Sequence, residues 1–176
     1  MKNIELEIRS FLSKTEYRKL LRFFKKNAKF IRQDNQITYY FDCPQDLRIQ
    51  KNNRFAKIWL KSGKIHDEAR EEIEIKFDRL DFEDLEKLFL ILRYKVQIKW
   101  FRKRYEFIWK NINVCLDHTK GYGYIIELEK IASVSKKDIV LGDLKKELKT
   151  LDIALTSKKE FDKKYLYYQK NWKKLI

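Results

Sequence analysis

Apolar and polar residues alternate strictly over residues 4–11. That places Ile4, Leu6 and Ile8 on one face of a strand and Glu5, Glu7 and Arg9 on the other. Ser13 and Glu16 then form a capping-box pattern. Tyr17, Leu20, Leu21, Phe24 and Ala28 follow at helical spacing, which predicts a helix over about 14–28. Four strand candidates come next: QITYYF up to the turn at Cys43-Pro44, DLRIQ, RFAKIWLK after the turn signal at Lys51–Asn53, and EEIEIKF after a loop over 62–70. Leu85, Leu88, Phe89 and Leu92 predict a second helix after Asp81. IKWFRKRYEFIW, INVCLD and YGYIIELEK predict three more strands, with turns at Lys110-Asn111 and His118–Gly121. Two helices end the chain, one striped by Val140, Leu144, Leu148 and Leu151, the other by Phe161, Tyr165, Tyr168 and Trp172.

Short connections between most of these strands imply antiparallel pairing, because parallel neighbours need long crossovers. Eight strands can also close on themselves. The expected fold is therefore α+β: an eight-stranded antiparallel closed β-barrel, or tunnel, flanked by helices. One domain over residues 1–176 is expected, with a strand-rich core over about 4–131 and C-terminal helices over about 136–174.

The polar faces of these strands carry the chemistry. They hold Glu5, Glu7 and Arg9; Arg48 and Gln50; Lys57, Trp59 and Lys61; Glu72, Glu74 and Lys76; Arg102 and Arg104; Cys115 and Asp117; and Glu127 and Glu129. A sheet with one face in water would carry such residues too, but that face would mix in Ser, Thr and Asn, and here it is almost wholly Arg, Lys and Glu. Turned inward, it lines a polar tunnel whose charges must be hydrated, paired or ligated. A carboxylate cluster suits a hard divalent cation, Mg2+ or Mn2+. Arginine forks and lysines suit a multiply charged phosphate chain.

Composition narrows this picture only slightly. Of 176 residues 44% are apolar, enough for a core. The net charge of +15 favours anionic partners without choosing among them. Much of the lysine excess falls on the two C-terminal helices, where a solvated face explains it, so nucleic acid is not favoured as a partner. No apolar run of about 18 residues suggests a membrane span. The start, MKNIELEIRS, has no apolar signal core, so a cytoplasmic location with Cys43 and Cys115 as free thiols is expected. His66, in a loop, and His118, in a turn, read as surface residues. Trp59 can stack on a base, though packing explains it as well.

The strand motifs resemble the CYTH superfamily, the triphosphate tunnel metalloenzymes that include class IV adenylyl cyclases and thiamine triphosphatases. Glu5-Leu6-Glu7-Ile8-Arg9 resembles the family's Glu-x-Glu-x-Lys strand. QITYYFDCP is similar to its Tyr-Phe-Asp segment, LRIQ to its Leu-Arg-Ile-Arg strand, IWLK to its Leu-Thr-Leu-Lys strand, and RKR to a Lys-x-Arg pair. VCLDHTKGYGYIIELE is similar to its Leu-Asp…Gly-x-Gly…Glu-Ile-Glu ending. The resemblance spans roughly residues 4–131 in the family's order. It implies divalent-metal-dependent chemistry on a triphosphate small molecule. By position, Glu5, Glu7, Glu127 and Glu129 hold the metal, with Glu74 and Asp117 as further candidates. Arg9, Arg48, Lys57, Lys61, Arg102 and Arg104 bind substrate, and Glu5, Glu7, Arg9, Lys61, Glu127 and Glu129 form the catalytic set. Hydrolysis is expected ahead of two alternatives: cyclisation of ATP to cyclic AMP and pyrophosphate, and non-catalytic binding of polyphosphate, nucleotide or RNA. Two positions depart from the pattern: Arg9 stands for the motif lysine, and Gln50 for the second arginine of the Leu-Arg-Ile-Arg strand.

Overall fold

A computed structural model of the chain describes residues 3–61 and 72–176. It contains β1 (Asn3–Leu12), α1 (Lys14–Asn27), β2 (Lys29–Phe41), β3 (Asp46–Lys51), β4 (Phe55–Lys61), β5 (Glu72–Asp78), α2 (Phe82–Ile91), β6 (Val96–Trp109), β7 (Ile112–Thr119), β8 (Gly123–Ser133), α3 (Lys137–Thr150) and α4 (Lys158–Leu175). The loop expected over 62–70, with His66, lies outside the described residues, as do the side chains of Lys61 and Glu72.

The eight strands form one sheet in the order β1-β8-β7-β6-β2-β3-β4-β5, and every pair is antiparallel. The expectation of a closed barrel differs from this: among the described residues β1 and β5 end the sheet and are not hydrogen-bonded to each other. The sheet nevertheless curls strongly, because side chains from β1 and from β4 and β5 line the same cavity.

Local chemistry accounts for the elements. Ser13 caps α1 through the expected box with Glu16, and Ser157 caps α4 in the same way with Glu160. Lys110 and Asn111 both take positive φ, 50° and 58°. These are the left-handed conformations that a two-residue hairpin turn requires between twisted strands.

The apolar strand faces point outward, under helices. α1 and α3 cover β1, β8, β7 and β6, with Phe24, Leu144 and Leu148 packed on Leu6, Phe107, Val114 and Leu128. α2 covers β3 and β4, with Phe82, Leu85 and Phe89 against Ile49 and Ala56. α4 does something different. Its stripe of Phe161, Tyr165, Tyr168 and Trp172 packs on Ile98, Trp100, Tyr122 and Ile125. Ile98 and Trp100 share their strand face with Arg102 and Arg104, and Ile125 shares its face with Glu127, so α4 closes over one end of the charged face. Tyr168 Oη donates to Lys99 O at 3.1 Å and Trp172 Nε1 to Gln97 O at 2.9 Å. The far end of the helix sits against Gly121, where a Cβ would meet Leu175 at 2.6 Å.

Candidate active site

The charged face lines a cavity of about 440 Å³. It brings together Glu5, Glu7 and Arg9 from β1, Arg48 from β3, Lys57 from β4, Glu74 from β5, Arg102 and Arg104 from β6, Asp117 from β7, and Glu127 and Glu129 from β8. Lys76 is not part of the lining. Its side chain is 62% exposed and contacts Glu74 at 3.4 Å. The +15 of the chain is not concentrated here either, since the lining holds as many acids as bases or more.

Register explains why one corner is acidic. Glu7 stands directly opposite Glu129, and Arg9 opposite Glu127, across β1 and β8. Glu127 then faces Cys115 across β7. The carboxylates of Glu5, Glu7, Glu127 and Glu129 thus share two adjacent strands. Burial is the largest influence on Glu129; the charges of Glu127, Glu7 and Glu5 add to it, against the pull of Arg104, and its pKa is pushed up to about 8. Glu5 and Glu129 make no ion pair among the described residues. Asn113 Nδ2 donates to Glu129 at 2.6 Å. Such a corner has negative charge in excess of its own cations, and its donors are hard oxygens. Both properties fit a divalent cation.

The cations are held by other acids. Arg104 donates from Nε and Nη2 to the two oxygens of Asp117, at 2.8 and 2.7 Å, and from Nη2 to Glu127. Arg102 reaches Asp117 at 3.1 Å through Nη1 and Gln36 at 2.8 Å through Nε. Burial opposes the charge on Arg104, but Asp117, Cys115 and Glu127 outweigh it and raise its pKa well above the ordinary value. Both oxygens of Asp117 therefore accept from arginines. Glu74 pairs with Lys57 at 2.5 Å on β5, far along the sheet from β8. Burial raises the Glu74 pKa, but Lys57 and Lys76 more than offset it and hold the carboxyl below its usual value.

Arg48 makes a two-pronged contact with Asp46, 2.6 Å at each oxygen. Its guanidinium lies 4.2 Å from the Tyr40 ring and 5.2 Å from Trp59. The Trp59 ring also carries Lys57 Nζ at 3.9 Å, so it packs against cations. Gln50, at the position of the motif arginine, donates to Thr38 at 2.8 Å.

Several lining residues escaped the sequence reading. Arg32 lies in the first half of β2, before the expected QITYYF strand, whereas Gln36 and Thr38 lie within that strand and carry no charge. Glu106 continues the Arg102, Arg104 alternation and could have been found by extending it; it binds Arg32 at 2.6 Å. Asn113 precedes Cys115 by the same two-residue step. His118 stacks on Tyr124 at 4.5 Å, away from the cavity face.

The sequence model of the CYTH domain matches residues 3–166. A search of curated proteins returns no match. Solved structures share the fold. A conserved hypothetical protein from Pyrococcus furiosus has a TM-score of 0.71 at 22% identity, covering 85% of this chain and 91% of its own. A proposed adenylyl cyclase from Hippeastrum, described as having a dominant triphosphatase activity, has a TM-score of 0.66 at 20% identity, covering 89% and 93%. A proposed adenylate cyclase from Vibrio parahaemolyticus has a TM-score of 0.68 at 14% identity, covering 91% and 98%.

Proposed function

The chain belongs to the CYTH family, and from that premise we propose that it hydrolyses a triphosphate, with a divalent cation, inside a tunnel formed by its eight strands. One observation carries the reading. A single cavity holds a corner of four carboxylates, Glu5, Glu7, Glu127 and Glu129, and beside it Arg9, Lys57, Arg102 and Arg104.

The carboxylate corner would hold Mg2+ or Mn2+, which supplies charge neutralisation at the phosphate oxygens. Asp117 acts on the arginines. It fixes Arg102 and Arg104 in one orientation, leaving Arg102 Nη2 and Arg104 Nη1 to receive phosphate oxygens. Donors fixed before the substrate arrives cost no reorganisation when charge builds up on the phosphoryl group. Arg9 and Lys57 extend the cationic wall, and the expected part of Lys61 belongs to this proposal as well. Arg48 keeps only part of its fork for a ligand, and Gln50 brings no charge, so the phosphate chain is held chiefly from β6. At the other end, Phe161 and Tyr165 of α4 line the cavity.

Purified protein given inorganic triphosphate, thiamine triphosphate and ATP, each with Mg2+ and with Mn2+, tests the reading. Phosphate release from at least one of them, lost on Glu127→Gln, is expected. Cyclic AMP and pyrophosphate from ATP would make it a cyclase. Tight binding with no turnover of any substrate would make it a binding module.

A further inference from the structure

Cys115 is the inward-facing side chain of the carboxylate corner that the proposed reaction leaves without a part. It is 1% exposed. Its sulfur lies between the acids: Cys115 Sγ and a carboxylate oxygen from each of Glu127 and Glu129 all stand within 4.8 Å of one another. Strand register makes this placement obligatory, since Cys115 is opposite Glu127 and Asn113 opposite Glu129. Two further observations point to a ligand. The Cys115 thiol donates no hydrogen bond among the described residues, and its sulfur only accepts a long contact, 3.8 Å, from Asn113 Nδ2. The Asn113 amide oxygen is buried and has no hydrogen-bond partner, although such atoms in folded proteins normally have one.

We propose that this corner is a mixed oxygen–sulfur cation site, with Cys115 as sulfur donor beside Glu127 and Glu129, and that it takes thiophilic divalent cations of the zinc class in preference to Mg2+. The inference rests on the cation reading above and adds which ion the chain selects. Mg2+ gains nothing from sulfur, whereas zinc binds thiolate at about 2.3 Å and carboxylate oxygen at about 2.0–2.2 Å. Three protein donors with one position left open is also the ligand count of zinc sites that act on a substrate. On binding, a sulfur–metal bond replaces the S–H bond and the proton passes to solvent.

Cadmium is the probe, because its bond to thiolate absorbs in the ultraviolet. Cys43 is the only other cysteine, so the Cys43→Ser protein has a single thiol. Cadmium titrated into it without substrate should give a sulfur-to-metal band that saturates at one cation per chain. Cys115→Ser should abolish the band. It should also weaken zinc binding, read by calorimetry, by roughly tenfold or more, given that losing even an outer partner of a metal ligand costs about 10- to 100-fold. Its effect on Mg2+ binding should be much smaller. A band absent from Cys43→Ser, or surviving Cys115→Ser, overturns the proposal. Should Cys115→Ser not fold, the band in Cys43→Ser decides alone. If Mn2+ and Mg2+ bind but cadmium shows no sulfur band, only this proposal falls. If no divalent cation binds, the hydrolytic reading falls with it.

Discussion

Replacing Glu129 by Gln should make the cation-free protein more stable at alkaline pH while destroying the site. In the folded chain Glu129 titrates at about 8, because it is buried beside Glu127, Glu7 and Glu5; its ordinary value is 4.5. Between those two pH values the native state keeps a proton that the unfolded chain has lost. Stability therefore falls as pH rises through this window and levels off above it. Each pH unit is worth about 1.4 kcal/mol, which sets a ceiling of about 5 kcal/mol. Water reaches this part-buried carboxyl and screens it, so about 2–3 kcal/mol is expected. For a chain of this length that corresponds to roughly 4–12 °C in Tm. Thermal and urea unfolding of chelator-treated wild type and Glu129→Gln, from pH 5 to pH 9, measure it. The two proteins should be close at pH 5 and diverge toward pH 9, with the variant more stable. Mn2+ at about 100 times its Kd should return about 2.7 kcal/mol to the wild type and little to the variant. Parallel pH profiles, or a variant less stable than wild type at pH 9, would refute the account of a strained carboxylate corner.

Arg104→Met leaves Asp117 and Glu127 buried without their main cation, and should cost about 3–5 kcal/mol in urea denaturation. Adding Asp117→Asn should recover part of that loss in a double-mutant cycle. Tyr168→Phe removes the bond to Lys99 O and should cost about 0.5–1.5 kcal/mol. Trp172→Ala should cost about 3–5 kcal/mol and make α4 the first segment cut by protease. Gly121→Ala places a side chain on a residue with φ of +73°, against Leu175 at 2.6 Å, and should cost more than about 1 kcal/mol, read as a lower Tm.

Much of the site was legible because strand alternation is a two-residue rule. Once residues 4–11 and 122–130 are read as strands, Glu5 and Glu7 must project from one side of the first and Glu127 and Glu129 from one side of the last. The structure places them there, and the CYTH match covers the same motifs. The first half of β2 was not legible. Lys29 to Asn35 pairs with β6 alone, because the β2–β3 ladder covers only Ile37–Tyr40, and a bulge interrupts the pairing between Phe30 and Arg32. A strand free along one edge needs no apolar alternation, and its Asp34-Asn35 step imitates a turn. The stripe on α4 gave the right buried residues, yet nothing about what they bury against. The same pattern would suit a helix lying on the outside of the sheet. Closure was not legible for a related reason: the number of strands permits a cylinder, but whether the first meets the last depends on accumulated twist and stagger.

With α4 seated across one end, the cavity is walled there by the aromatic rings of Phe161 and Tyr165 rather than by charge. A guest with one anionic end and one uncharged end would therefore lie with its uncharged end toward this helix and its anion among the strands.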